Sequence, residues 1–275
     1  RTPNKCSQSE RLPRDMESPA ANPKNEVRSV AKAFAVLRAF TPEAPSLTLA
    51  EIAARAGLDR GTAFRLAHTL ANLGYLRAEA RRFRLTLQCL ELGHAALSHG
   101  GLAEQAAPLL RELVPGTADA ASLGALERGE VIYLARADGG LDRQGVIRRP
   151  GSRIGAYATA LGQAILAFLP RAEQVAQLDA TPRVKLSDRT LTGMDELLAR
   201  LDAVRAQGVA VSEGENAYGL LTVAAPVLDA AGAPLAAVSL TAAAGRGAGF
   251  AAAAIPAARA LAATLATAIR HGAAR

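Results

Sequence analysis

Apolar residues at Val30, Ala33, Phe34, Leu37 and Phe40 recur at helical spacing, so a helix opens near Arg28 with this stripe turned inward. Pro42 and Pro45 end it. Thr48-Leu-Ala-Glu51 has the spacing of a capping box, and Gly57 stops the short helix it starts. Asp59 then caps a helix running to about Leu73, where Gly74 closes it. Its apolar positions, Ala63, Leu66, Ala67, Leu70 and Leu73, make one narrow face. Two helices joined by a tight Gly-containing turn form a helix-turn-helix. Tyr75–Leu85 reads as two short strands around a polar turn, the wing of a winged helix-turn-helix, and Thr86–Ser98 as a linker helix closed by Gly100-Gly101.

The remainder interleaves strands and helices. A helix over Leu102–Leu113 precedes two β-like runs, Ala120–Leu126 and Val131–Ala137, which flank a hairpin turn at Glu127–Glu130. A third strand is expected near Gln144–Arg149, with helices over Thr159–Leu169, Arg171–Leu178 and Asp195–Gln207. Val209–Ser212, Leu221–Val227 and Leu235–Thr241 are three more strands, and Phe250–His271 is a terminal helix. The pattern gives an α+β chain: a disordered tail over 1–25, a winged helix-turn-helix over 26–85, a linker helix over 86–100, and an α/β domain over 101–275.

Composition narrows the class. Half of the 275 residues are hydrophobic and only 4% are aromatic, so the core is aliphatic and alanine-rich. Two cysteines, Cys6 and Cys89, make neither a disulfide framework nor a closely spaced metal-ligand pair; no metal and no cofactor is expected. No stretch of roughly 18 apolar residues runs free of charges or breakers, so no membrane association is expected and the cytoplasm is the default. The formal net charge is +7. Residues 1–85 carry 15 Lys and Arg against 8 Asp and Glu, whereas 86–275 carry 17 of each. The whole excess coincides with the helix pair and wing, which points to double-stranded DNA as a partner.

The helix after Asp59 fits that partner. Opposite its apolar face lie Gly61, Thr62, Arg65, His68, Thr69 and Asn72, with Arg60 in the first turn and Phe64 on the flank. Beyond its cap the helix has no acidic residue. Arg65 is the candidate for a bidentate base contact, Thr62 for a phosphate and Phe64 for a thymine methyl. Thr48, Arg60, Gly61 and Thr69 complete the candidate surface. Arg81, Arg82 and Arg84 in the wing, with Arg77, suit backbone or minor-groove contacts.

Arg28-Ser-Val-Ala-Lys-Ala-Phe-Ala-Val-Leu37, Leu49-Ala-Glu-Ile-Ala-Ala54 and Gly57-Leu-Asp-Arg-Gly-Thr-Ala-Phe-Arg-Leu66 resemble the amino-terminal domain of IclR-type transcriptional regulators. The resemblance continues through Gly151-Ser-Arg-Ile-Gly-Ala-Tyr-Ala-Thr-Ala-Leu-Gly162, Arg189-Thr-Leu191, Glu213-Gly-Glu-Asn216 and Val223-Ala-Ala-Pro-Val227. It implies a winged helix-turn-helix joined to a GAF-like α/β effector-binding domain. The regulator would bind operator DNA as a homodimer or a dimer of dimers. Gly61 stands where that family usually has serine, and Ser212 where several members carry an acidic residue.

For an effector, Gly151–Thr159 looks like a small-residue loop leading into a helix, whose backbone N–H groups suit a carboxylate. The hydroxyls of Ser152, Thr159, Thr222, Ser239 and Thr241 could converge there, with Arg148, Arg149 and Arg153 favouring an anion. The resemblance implies the same region: Gly151, Ser152, Ala156, Tyr157 and Thr159 from the loop, then Ser212, Glu213, Leu220, Thr222, Ser239 and Thr241. Tyr157 reads equally as core. Arg148–Tyr157 and Pro182–Leu186 resemble the branch that controls aromatic-acid catabolism, which implies a small carboxylate effector, aromatic or oxo. The rival readings are a GAF-like enzyme and a metabolite-binding protein without regulatory DNA binding. No cysteine lies beyond Cys89 and no histidine is spaced with Ser or Asp as in a catalytic group, so an enzyme is not expected.

Overall fold

The computed structural model describes residues 26–97, 101–141, 148–246 and 249–272. It divides into two units, one up to Glu91 and one from Leu92.

In the first unit α1 (Arg28–Arg38), α2 (Leu49–Ala56) and α3 (Arg60–Asn72) pack over a three-stranded sheet of order β1-β3-β2. The strands are β1 (Leu47–Thr48), β2 (Leu76–Glu79) and β3 (Arg82–Leu85). The capping box is complete: the Thr48 hydroxyl accepts from Glu51 N–H at 3.3 Å, and the Glu51 carboxylate accepts from Thr48 N–H at 2.7 Å. Gly57, at φ 64°, makes the left-handed turn, and Asp59 accepts from Thr62 N–H at 2.8 Å to start α3. Ile52, Ala63, Ala67, Leu70, Leu76 and Phe83 form the core with Val36 and Phe40.

The apolar stripe expected on α1 is turned inward only at its end, where Leu37 and Phe40 join the core. Val36, Ala39 and Phe40 are buried, whereas Val30 and Phe34 stand in solvent. Leu73 is also exposed, because it lies at the C-cap, where α3 has already left the core.

The second unit is a six-stranded antiparallel sheet, order β6-β5-β4-β9-β8-β7, covered on both faces. Its strands are β4 (Ala120–Glu127), β5 (Glu130–Asp138), β6 (Arg153–Gly155), β7 (Ala210–Glu213), β8 (Leu220–Leu228) and β9 (Pro234–Ala243). α5 (Leu102–Glu112) and α9 (Gly249–Gly272) cover one face, sharing a core with Leu123, Val223, Val238 and Leu240. α6 (Ala160–Leu166), α7 (Arg171–Asp179) and α8 (Met194–Gln207) lie on the other, over Val131, Tyr133, Ala224 and Ala237. α4 (Cys89–Leu97) runs across the division between units. Among the described residues α9 alone is long and apolar enough to cross a membrane, and its Ala254, Ala258, Leu261 and Leu265 are buried in the core it shares with the sheet.

The third strand falls later than expected. Residues 144–147 lie outside the described ones, Arg148 and Arg149 are not in a strand, and β6 pairs instead at Val131↔Ile154. Ile154 supplies the apolar contact, and Arg153 binds Glu130 at 2.7 Å. β4 and β5 fall out of step between Leu123 and Gly124: Leu123 pairs with Ala135 but Gly124 with Tyr133, so Leu134 is bulged. A Cβ on Gly124 would meet Val131 Cγ1 at 2.5 Å. Gly162 is tighter still, since a Cβ there would lie 2.2 Å from the Ala156 carbonyl oxygen.

Three outcomes follow from this packing. Gly162→Ala should destabilise the second unit by about 1–3 kcal/mol in urea titration, since backbone must move to admit the methyl. Thr48→Ala should cost the first unit about 1 kcal/mol. Hydrogen bonds from Thr48 and Thr62 hold the Glu51 and Asp59 carboxyls below their ordinary values of 4.5 and 3.8. Both groups therefore bind a proton more readily in the unfolded chain. Their contribution is complete above the ordinary values and is lost as pH falls through the lowered ones. An acid titration should show the first unit losing helicity in that window, and less steeply in the Thr48→Ala variant.

Candidate functional site

Two surfaces carry chemistry. The first is the outer side of α3. Arg60, Gly61, Phe64, Arg65, His68, Thr69 and Asn72 are exposed, and Thr62 is half-buried. Burial of Ala63, Ala67 and Leu70 fixes which way this side faces. The Thr69 hydroxyl donates to the Arg65 carbonyl at 2.8 Å. Phe64, 51% exposed, lies against His68 with ring centroids 4.2 Å apart, and His68 meets Phe83 of β3 edge-on at 5.7 Å. This bridge from α3 to the wing was not anticipated from sequence; its signal is the i, i+4 spacing of Phe64 and His68.

The other predicted residues of this unit divide into committed and available. The Thr48 hydroxyl and N–H are both engaged with Glu51. Arg82 donates through Nη2 to the Ser46 carbonyl at 2.6 Å and through Nε to the Ser46 hydroxyl at 3.1 Å, and it reaches Glu51 at 3.3 Å. Arg77 pairs with Glu79 at 2.9 Å. Arg81 stands at the wing tip at φ 68°, after Ala80 at φ 45°. Among the described residues, neither Arg81 nor Arg84 is engaged by an acidic side chain.

The second surface is a small cavity of about 30 Å³ in the second unit, between the polar end of the sheet and the start of α6. Strand register builds it. Arg136, Ser122 and Ser239 are cross-strand neighbours on β5, β4 and β9, and Thr241 and Thr222 are neighbours in the adjoining row. The Thr222 and Thr241 hydroxyls lie 3.1 Å apart. The bulge at Leu134 brings Tyr133 onto the same wall as Arg136; regular alternation would put them on opposite faces. Thr159, Ala160 and Leu161 close the α6 side, with Asn216, Leu220 and Arg148 at the rim.

Arg136 is the strongest charge there. Its side chain is only 6% exposed. It donates to the Ser122 hydroxyl at 3.1 Å and to Asp138 at 2.5 Å, and its buried Nε has no acceptor among the described residues. Burial raises the Tyr133 phenol above its ordinary range, opposed by Arg148 and Arg136. Behind the cavity, Glu215 is buried between Arg200 at 2.9 Å and Gln163 at 2.7 Å, while its carbonyl accepts from Ser187 and Thr190. That network holds the turn which carries Asn216.

Thr159, Leu220, Thr222, Ser239 and Thr241 thus come together. Gly151, Ser152, Ala156, Tyr157, Ser212 and Glu213 do not line the cavity. Three amides of the loop are engaged, Gly151 N–H with Tyr133, Ser152 N–H with Arg149 and Ala156 N–H with Gly129, while the helix start itself, Ala160 and Leu161, lines the cavity. Thr159 caps α6 by accepting from Gly162 N–H, and the Ser152 hydroxyl donates to the Arg149 carbonyl. Tyr157 is core, its hydroxyl donating to the Val184 carbonyl at 2.7 Å. Ser212 extends the Thr222–Thr241 row one strand further out, and Glu213 pairs with Arg189 at 2.7 Å on the surface. Ser122, Tyr133 and Arg136 are cavity residues that sequence reasoning missed, whereas Asn216 comes from the Glu213–Asn216 turn that the family resemblance implies.

Residues 29–80 match the family model of the IclR helix-turn-helix domain, and residues 94–267 that of the bacterial transcriptional regulator IclR C-terminal domain. The chain is 34% identical over 218 residues to the Pca regulon regulatory protein of Pseudomonas putida, covering 79% of this chain and 75% of that one. A chain of Rhodococcus sp. RHA1 solved as a transcriptional regulator superposes with TM-score 0.75 at 34% identity, over 90% of this chain and 99% of that one. An IclR homologue of Microbacterium hydrocarbonoxydans, solved in complex with 4-hydroxybenzoate, shares the fold with TM-score 0.75 at 22% identity, over 88% and 99%. With its helix-turn-helix unit and effector-binding C-terminal domain, this chain belongs to the IclR family of DNA-binding transcriptional regulators.

Proposed function

We propose that α3 lies in the major groove of operator DNA, with Arg65 on a base edge and Thr62, Phe64 and Thr69 beside it. Arg60 meets the phosphate backbone, and Arg81 and Arg84 reach the flanking backbone or minor groove from the wing. Thr48 and Arg82 act through the frame they hold together. Gly61, without a side chain, lets the backbone of α3 approach closely. The observation that carries this reading is the outer side of α3: exposed, basic, without an acidic residue, and fixed by a buried opposite face.

The cavity of the second unit takes a small carboxylate, and its occupancy changes operator affinity. Support comes from the guanidinium of Arg136 and from Arg148, which line the cavity within a wall of hydroxyls. The neighbour solved with 4-hydroxybenzoate carries a carboxylic acid on the same fold. The chain works as a homodimer in the cytoplasm. The exposed Val27, Val30 and Phe34 of the α1 region, and Leu87 and Leu90, supply apolar surface for a second copy, and a two-fold operator would match it.

Gel-shift titrations with the upstream promoter fragment and a random duplex, at fixed salt, test the DNA assignment. Arg65→Ala should cost about 1–3 kcal/mol of discrimination between the two. Arg84→Ala should weaken both equally and lower the salt slope by about one unit. Unchanged discrimination in Arg65→Ala would remove Arg65 as the reader.

A further inference from the structure

Resting on the reading that α3 lies in the major groove, we infer that His68 is a proton-linked phosphate contact. Its imidazole meets the DNA backbone strand between α3 and the wing, and binds that strand more tightly when protonated. His68 lies on the flank of α3 that faces the wing, as its edge-on contact with Phe83 of β3 at 5.7 Å shows. Phe64, one turn back on α3, lies against it at 4.2 Å. The two aromatic rings fix the pose of the imidazole without using its polar atoms. His68 is exposed, and among the described residues neither ring nitrogen has a hydrogen-bond partner. A histidine steadied by apolar rings, with its nitrogens facing no group of the chain, is available to a partner outside it.

The major and minor grooves of a duplex share one sugar–phosphate strand as their common wall. With α3 in the major groove and the wing tip at the next minor groove, that strand crosses the crevice between helix and hairpin, where His68 stands. The charged groups around the crevice are Arg65 on α3, Arg77 and Glu79 on β2, and Arg82 and Arg84 on β3. Glu79 is paired with Arg77, and Arg82 reaches Glu51, which caps α2. Among the described residues, therefore, no carboxylate holds a proton on His68. A phosphate does so, because an imidazolium gives it a charge-assisted N–H bond and a neutral ring only an ordinary one. The complex keeps the proton more firmly than the free chain does, so binding strengthens as pH falls.

Fluorescence anisotropy on the full chain, with the upstream promoter fragment and a random duplex at about pH 6 and about pH 8, tests this across the range where histidine titrates. The wild type should bind both duplexes about tenfold tighter at the lower pH, with discrimination between them unchanged. Its salt slope should be steeper there by about one unit, the signature of one more phosphate contact. His68→Phe, which keeps the ring packing, should bind with the same affinity and slope at both pH values. His68→Lys should keep the steeper slope at both, and circular dichroism checks that each variant is folded. A pH dependence that survives His68→Phe, or that the wild type lacks, overturns the inference and leaves the placement of α3 standing. So does a pH dependence confined to the promoter fragment, which would make His68 a base reader. A wild type that binds the two duplexes equally at both pH values overturns the placement of α3 and the inference with it.

Discussion

A guanidinium buried in an alanine-rich sheet is the constraint on which the second unit turns. Desolvating a charge of this kind costs several kcal/mol unless partners replace the lost water. Arg136 gets part of that replacement from Asp138 and from the Ser122 hydroxyl. Those partners need their own surroundings, so the polar end of the sheet carries hydroxyls in cross-strand rows where the rest carries alanine, valine and leucine. The same strands therefore build a dry core and a polar cavity, separated only by position along their length.

The bulge at Leu134 makes this arrangement possible. It breaks the two-residue alternation of β5, so Tyr133 packs with the helices of one face while Arg136 shares its wall. Gly124 stands opposite the slip, where a methyl group would run into the Val131 side chain. Local geometry of this kind, not the identity of the hydroxyl residues alone, decides which side chains meet.

Most of the element order was legible in the sequence, because it rests on local signals. The capping box at Thr48, the Asp59 cap, Gly57 and Gly208 each fix a boundary through one or two hydrogen bonds, or a left-handed turn, within a few residues. The orientation of α1 was not legible. Val30 and Phe34 have the spacing of a core stripe, yet they are exposed, and it is Val36, Ala39 and Phe40 at the end of the helix that enter the core. The cavity was half legible: hydroxyls at Thr222, Ser239 and Thr241 announce a polar strand face. Ser122 and Arg136 escaped notice because only the pairing of β4 with β9 and the slip in β5 bring them beside it. At the loop Gly151–Thr159 the amides of Gly151, Ser152 and Ala156 go to strand and turn partners, and it is Thr159 and the start of α6 that reach the cavity.

In the first unit, Arg82 ties the wing to Ser46 and to the carboxylate that caps α2, while Phe64, His68 and Phe83 join α3 to the same strand. The wing thus has two separate anchors on the helices, one polar and one aromatic, and loss of either leaves the other to hold its place beside α3.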